Sequence, residues 1–455
     1  MTDNNIDNNN KFSKATWCAM PWSSIQISTS GNYKICCFAG HGFGRDREGN
    51  VVHVLTHTMK EALNSSLHRQ VRRSQSNDQR DVQCNTCWNK EFSHARQITE
   101  GHYVKEKEFG VSYRIDRTFD HMAKLEGVVQ MSQAPALMAR DGSIDVNPAF
   151  LDIRFSNLCN AKCIQCGPDD SSLWYSDYSQ LYGTDKFNVG PVEYTIKMEG
   201  NRYVSDMPKW HDSPIWWDQF EEIKHNLKHI YITGGEPFVQ PSHDEMLDRF
   251  IASDLAKDIV LDYDTNLMQV NTKMIDRLKH FKQVRFAVSL DDTEKRYELI
   301  RFPSSWKKLL ENLEKIKDLP NLPTPRISMC IGFFSPFAQS RVIPFFSARG
   351  YTRFPIRLIR KPSVFQLEWY PSALKKQIIE KYDTIDIHPR WKGATVGYLK
   401  NTLDTHDDDT CLKMINGFLM RMDGLDRIRG TDWKATFPEV AEMLRSHYGD
   451  SLPEL

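Results

Sequence analysis

The chain has 455 residues, and its 59 lysines and arginines match its 59 aspartates and glutamates, so the formal net charge at pH 7 is zero. That balance argues against a broad polyphosphate-binding face, and 40% hydrophobic with 26% charged residues is the composition of a globular protein of several domains. No apolar run reaches the roughly 20 residues that span a bilayer; the nearest, Ile327 to Phe346, is broken by Ser328, Ser335, Pro336, Gln339, Ser340 and Arg341.

Residues 1–10 are rich in Asn and Asp and lack an apolar segment, which predicts a disordered tail and no signal peptide. A cytoplasmic location in a reducing compartment is the expectation. Within 11–100, Ile25-Gln-Ile27 and Tyr33-Lys-Ile35 flank a Ser-Gly-Asn turn and read as a hairpin. His57 to Arg73 reads as one amphipathic helix. Residues 101–150 are charged and mixed, and read as a linker or helical segment ending in the turn Asp141-Gly-Ser. From 151 the pattern changes. Strands are expected at Leu151 to Phe155, His229 to Ile232, Ile259 to Tyr263, Val284 to Val288, Arg326 to Ile331 and Pro355 to Ile359, with helices between them. Such alternation predicts a parallel sheet with helices outside, an α/β core over 151–365. Gly183 to Asp218, rich in Trp, Tyr, Pro and Asp, is expected to be a loop insertion. Residues 366–455 read as a helical C-terminal extension without recognisable chemistry.

Ten cysteines are unusual for a cytoplasmic chain. Disulfides are disfavoured there, so clustered cysteines read first as metal ligands or reactive groups. Cys159-x3-Cys163-x2-Cys166 lies directly after a strand and before a helix. Three thiolates on one loop suit an iron–sulfur cube, each taking a different iron. The fourth iron then stays open to a small molecule. A zinc site would want a fourth ligand close by, but the nearest downstream histidine is His211. The second group is Cys18, Cys36–Cys37 and Cys84-Asn-Thr-Cys87.

On these residues the sequence resembles the radical S-adenosylmethionine (SAM) enzymes, more narrowly those with a twitch domain, a shortened relative of the SPASM domain. The resemblance is carried by Leu151 to Pro168 with its three cysteines, Thr233-Gly-Gly-Glu-Pro237, Thr265-Asn266, Ser289-Leu-Asp291 and Tyr297 to Pro303, in family order and each at a strand end. It implies a partial (β/α)6 TIM barrel. It implies a catalytic 4Fe–4S cluster on Cys159, Cys163 and Cys166. SAM would then be cleaved reductively to a 5′-deoxyadenosyl radical that abstracts hydrogen, by analogy from a peptide or protein side chain. Gly234, Gly235, Glu236 and Pro237 would hold SAM's amino group. Ser289 and Asp291 would bond its ribose or methionine part, Asn266 would line the same pocket, and Arg301 would pair with its carboxylate. Without the resemblance, Ser289 and Asp291 read as turn formers and Arg301 as a surface residue. Gln165 departs from the pattern, since many family members carry an aromatic there.

Gly31-x4-Cys36 on a hairpin followed by Cys84-x2-Cys87 resembles the auxiliary-cluster half of SPASM and twitch domains. That domain usually follows the barrel; here the module, over 11–100, precedes it. Cys18, Cys36, Cys84 and Cys87 would complete a second 4Fe–4S cluster, with Cys37 an alternative to Cys36 and a structural zinc the alternative to iron. An electron donor such as flavodoxin or ferredoxin is implied, as is oxygen sensitivity. The competing class is a zinc-stabilised binding or scaffold protein without redox chemistry. Cys330 reads as a core thiol, and Cys411 has no identifiable partner. Trp174, Tyr175, Tyr178, Trp210, Trp216 and Trp217 read as packing residues in preference to a substrate wall.

Overall fold

Runs rich in valine, isoleucine and aromatic residues pair side by side in the computed structural model, which describes residues 12–13, 16–40, 42–88 and 126–452. The expected tail over 1–10 and residues 101–125 of the expected linker lie outside the described residues. The hairpin forms: β1 (Ser24–Ile27) and β2 (Tyr33–Lys34) pair antiparallel. Gly31 turns the chain at φ +82°, with His53 and Trp210 too close for a Cβ. The helix expected over 57–73 is two, α1 (Met59–Leu63) and α2 (Ser66–Ser76). Asn64 and Ser65 interrupt it, because both favour caps over helix interiors. Thr58 and Glu61 close a capping box on α1.

From residue 150 the elements follow in order. They are β3 (Phe150–Ile153), α3 (Trp174–Tyr182), β4 (Lys186–Val189), β5 (Val192–Glu199), β6 (Arg202–Ser205), α4 (Pro214–Ile223), β7 (His229–Ile232), α5 (Pro241–Ala252) and β8 (Val260–Thr265). Then come α6 (Thr272–Leu278), β9 (Gln283–Ser289), α7 (Glu294–Ile300), α8 (Trp306–Lys315), β10 (Arg326–Ile331), α9 (Gln339–Ser347) and β11 (Ile356–Leu358). One sheet takes the order β11-β10-β9-β8-β7-β3-β1-β2. The strands from β3 through β11 in that sheet are all parallel, and β1 adds to β3 in parallel as well. The α/β class with a mostly parallel sheet is therefore as read.

The two faces of the sheet differ in kind. Register sets Leu151, Ile230, Leu261 and Val284 side by side, and all four are fully buried with Met246, Leu247 and Phe250 of α5 in the main core. The opposite face aligns Gln26, Asp152, Tyr231, Asp262 and Arg285. Strands alternate their side chains, so this is one continuous polar face.

The loop expected over Gly183 to Asp218 is corrected. It forms a separate three-stranded antiparallel sheet, β4-β5-β6, and the start of α4. Val192-Glu-Tyr-Thr-Ile-Lys-Met-Glu199 alternates strictly, and Gly190 and Gly200, both at positive φ, make the turns. The period outweighs the Trp, Pro and Asp content. Phe187, Tyr194 and Ile196 pack on Tyr175 in a small core of their own. Trp174, Trp210 and Trp216 are fully buried packing residues.

The C-terminal extension is helical: α10 (Ser372–Thr384), α11 (Pro389–Asn401), α12 (Asp408–Arg429) and α13 (Pro438–Tyr448). It is tied to the sheet domain by Arg296, whose guanidinium meets Glu439 bidentately at 2.8 Å. Among the described residues no helix is long and apolar enough to cross a membrane.

Candidate functional site

The three-cysteine loop leaves the C-terminal end of β3, and its backbone is fixed from several directions. The amides of Lys162 and Ile164 donate to the carbonyls of Phe302 and Ile300 at 2.7 and 2.8 Å. The indole of Trp174 donates to the Cys163 carbonyl at 2.8 Å. Burial pushes the Cys159 thiol up. A hydrogen bond from Cys166 holds Cys163 below the ordinary thiol range, with Arg301 and Arg429 acting in the same sense. That bond and burial push Cys166 up. Burial works against ionisation of Cys159 and Cys166, and a metal that takes them as thiolates removes that penalty.

Gly234 to Pro237 packs against this loop. A Cβ on Gly235 would meet the Leu158 carbonyl oxygen at 2.1 Å and the Asn157 carbonyl carbon at 2.8 Å, so only glycine fits. Gly234 sits at φ +117° beside Arg154. The Glu236 amide donates to the Leu158 carbonyl at 2.9 Å. The Glu236 carboxylate points to the next strand: Oε1 accepts from the Thr265 hydroxyl at 2.5 Å and Oε2 from the Asn266 amide at 2.8 Å. Burial pushes this carboxyl up to about 7 against those bonds. Asn266 then reaches back, its amide donating to Asn160 at 2.7 Å. Glu236 and Asn266 thus strap the ends of β7 and β8 to the cysteine loop.

Asp291, beyond the end of β9, is fully buried and serves three donors. Oδ1 accepts from the Cys330 amide at 2.8 Å; Oδ2 accepts from the Gln165 amide at 2.6 Å and pairs with Arg301 at 2.8 Å. Arg301 extends to Cys163, with Nη1 3.9 Å from Sγ. Arg301 is buried, unlike the surface residue it resembles in sequence alone. Its Nε and the Gln165 Oε1 are buried without a partner among the described residues, and such atoms call for a further ligand. Ser289 closes β9, half-buried, level with Ser328 of β10.

The second cysteine group forms a separate cluster. Cys18, Cys36, Cys84 and Cys87 act on one another electrostatically: Cys36 feels Cys18 and Cys87, and Cys84 feels all three others. Burial and these neighbours push Cys36 up to about 12. Cys37 turns away, toward Asp152, Arg154 and Arg357 on the polar face of the sheet. Cys36 packs with Met20 and Phe150, and Tyr231 lies against them. Among the described residues no three such groups converge as closely as a single metal ion needs; a cube instead takes its thiols apart, one to each iron.

Between the two groups the polar face carries Asp152 with Arg154 at 3.9 Å, the Tyr231 hydroxyl donating to Asp264 at 2.6 Å, and Arg357 at 3.6 Å from Asp264. Burial pushes the Asp152 carboxyl up to about 6, countered by Arg154 and Lys34.

Sequence reasoning missed the contribution of the C-terminal extension. Arg421 and Arg429 of α12 reach the cysteine loop and Trp174. Cys330 is near Asp291, and Cys411 is buried in α12.

A protein-family model described as the radical SAM superfamily matches residues 153–330, and SPASM, described as an iron–sulfur cluster-binding domain, matches residues 18–88. No curated protein matches. Among solved structures, native anSMEcpe with bound AdoMet and Cp18Cys peptide is 12% identical, covering 51% of this chain and 57% of that one at a TM-score of 0.32. Streptococcus suis SuiB bound to precursor peptide SuiA is 14% identical, covering 63% and 59% at a TM-score of 0.33. TYW1 with a lysine-pyruvate adduct bound is 13% identical, covering 52% and 73% at 0.29. The chain spans less than two thirds of the first two.

Proposed function

We propose, for a chain that belongs to the radical SAM superfamily with a SPASM domain ahead of its core, that it is an enzyme cleaving SAM reductively to abstract hydrogen from a peptide or protein side chain. The observation that carries this reading is the contact of the three-cysteine loop with Gly235, where Leu158 leaves no room for any side chain. Two separate motifs are thereby held as one surface at the ends of parallel strands, where sheets of this kind place their sites.

The radical SAM domain implies a 4Fe–4S cluster with SAM, and the SPASM domain an auxiliary cluster. When bound, the cluster and SAM supply one-electron cleavage of a carbon–sulfur bond and a primary carbon radical. Cys159, Cys163 and Cys166 would hold the first cluster, and Cys18, Cys36, Cys84 and Cys87 the second. The Cys159 and Cys166 thiols, which burial pushes up, and the atoms of Gln165 and Arg301 that have no partner among the described residues fit groups of that kind.

The remaining roles belong to the chain's own residues. Gly234, Gly235 and Pro237 would leave backbone room for SAM. Glu236 has taken three donors in all, counting the Phe238 amide, and of roughly four acceptor sites one remains for an ammonium group. Asn266 and Ser289 would line the pocket. Asp291 orients Arg301, whose unpartnered Nε would meet a carboxylate. The polar face with Asp152, Arg154, Tyr231 and Arg357 would receive the substrate, and helices outside the sheet exclude water. The strands would curve as a partial (β/α)6 barrel, with the module over 11–100 and the helices over 366–455 attached. A flavodoxin or ferredoxin would deliver the electron.

The test is anaerobic reconstitution. Two cubes give about eight iron atoms per chain, and dithionite with SAM releases 5′-deoxyadenosine. Zinc in place of iron would overturn the reading. Incubation with a peptide substrate should then transfer its hydrogen into 5′-deoxyadenosine.

A further inference from the structure

The cysteine loop is held from behind by a helix more than 240 residues further along the chain. Arg421 of α12 is 5% exposed. Its Nη2 donates to the carbonyls of Ile164 and Cys166, both at 2.8 Å, and its Nε to Ile164 at 3.2 Å. Nη1 donates to the Tyr182 hydroxyl, and the guanidinium stacks 4.6 Å from the centre of the Trp174 ring. Each carbonyl of Cys163, Ile164 and Cys166 is thus served by a side chain from outside the loop.

The charges near the loop are arranged unevenly. Arg301 has Asp291 at 2.8 Å, and Arg429 has Asp177 at 2.8 Å. Arg421 has no ion pair with a carboxylate among the described residues; its partners are carbonyls, a phenol and an aromatic face. A buried cation without a counter-ion is costly unless something negative sits beside it. Of the groups that act on Arg421, Cys166 is the one in the loop, beside Tyr182 and Tyr178, and Cys163 acts on Arg429.

We propose that Arg421 is the built-in counter-charge of the cluster held by Cys159, Cys163 and Cys166, and that it sets the potential at which the cluster accepts its electron. The inference rests on the reading of that loop as a cluster site. Reduction adds a negative charge to the cluster, and net charge and hydrogen bonding around the sulfurs set its potential. A fixed guanidinium in a dry pocket favours the reduced form, because no solvent reorganises to compensate for its loss. Its four contacts lock it in place, so it acts as a positioning residue and an electrostatic one together.

The experiment is a potentiometric titration of the reconstituted full chain, followed by the paramagnetic signal that changes on adding SAM. Arg421→Gln keeps an amide donor and loses the charge; Arg421→Lys keeps the charge. In the glutamine variant the reduced-to-oxidised ratio at a fixed applied potential should fall about tenfold, equivalent to 59 mV for a one-electron couple. The lysine variant should stay within about threefold of wild type. A glutamine variant that titrates with wild type, or a lysine variant displaced as far, overturns the inference. If the glutamine variant holds no iron at this site, the lysine variant decides. Iron with a wild-type midpoint supports the counter-charge, and loss of iron there reduces Arg421 to a structural clamp. A wild-type protein with no SAM-responsive signal would instead sink the cluster assignment itself.

Discussion

Gly235→Ala probes the junction on which the site depends. The added Cβ meets the Leu158 carbonyl oxygen at 2.1 Å, where ordinary contact begins near 3.4 Å. All three of its nearest atoms are backbone atoms of Asn157 and Leu158, so no side chain can swing aside. One strand end must move by about an ångström, and overpacking of this sort costs about 1–3 kcal/mol. The Leu158 carbonyl also accepts from the Glu236 amide at 2.9 Å and from the Gln240 side chain at 2.8 Å. Losing both adds about 1 kcal/mol each. A total loss of about 3–5 kcal/mol follows, with displacement of the neighbouring Cys159. The assay is anaerobic urea unfolding, with iron per chain after reconstitution. Gly350→Ala is the control: its φ is +85° but nothing among the described residues lies within 4 Å, so only backbone strain of about 1–2 kcal/mol applies. An alanine variant at 235 that unfolds at the wild-type midpoint and binds wild-type iron would refute the close contact.

Cys163→Ala should lower the iron content from about eight to about four atoms and abolish 5′-deoxyadenosine release; release that persists would mean the wrong loop. Cys36→Ser should lose the auxiliary iron while Cys37→Ser keeps it, as measured by iron content and visible absorbance, because Cys37 faces Asp152 and Arg154. Glu236→Gln should change the pH dependence of stability of the cluster-free protein. The folded carboxyl takes its proton near pH 7 instead of its ordinary 4.5. Wild type therefore loses stability as pH rises from about 4.5 to 7, by about 3 kcal/mol at 1.36 kcal/mol per pH unit. The glutamine variant lacks that loss, so urea midpoints of the two should separate in its favour across this window and stay parallel above it.

Most of the parallel sheet was legible because its strands are short, β-branched and bounded by helices, as in His229 to Ile232 and Val284 to Val288. The β4-β5-β6 sheet was legible too, in the alternation of Val192 to Glu199, but a reading weighted by composition passes over it. The cysteine loop and the Gly-Gly-Glu-Pro segment declared themselves through spacing. What spacing could not show is where Glu236 and Asp291 spend their acceptors, since Thr265, Gln165 and Cys330 reach them from other elements. Arg421 and Arg429 had a faint signal. Ile415, Phe418, Met422 and Leu425 form a buried stripe along α12, and both arginines fall on it at helical spacing. A charge on an apolar stripe needs a partner; that the partner is a loop near residue 164 depends on the tertiary fold.

The hairpin explains how a module placed ahead of the core can still serve it. β1 runs parallel to β3, from Ser24 beside Phe150 to Ile27 beside Ile153. β2 runs back, so Cys36, just beyond it, returns to the end of the sheet where Cys18 enters. Phe150, the first residue of β3, packs there with Cys36. The three-cysteine loop leaves the other end of the same strand. The two cysteine groups therefore lie at opposite ends of β3, whose four residues span about 13 Å. The side chains between them are Asp152 and Arg154, joined by Cys37 and Tyr231. Attachment through β11 would have started the module at the other edge of the sheet, five strands away from β3 in its order. Pairing with β3 instead sets the auxiliary cysteines against the polar face itself. On the proposed function, a substrate on that face would lie between the two cysteine groups, with Cys159, Cys163 and Cys166 beyond one end of β3 and Cys36 with its neighbours at the other.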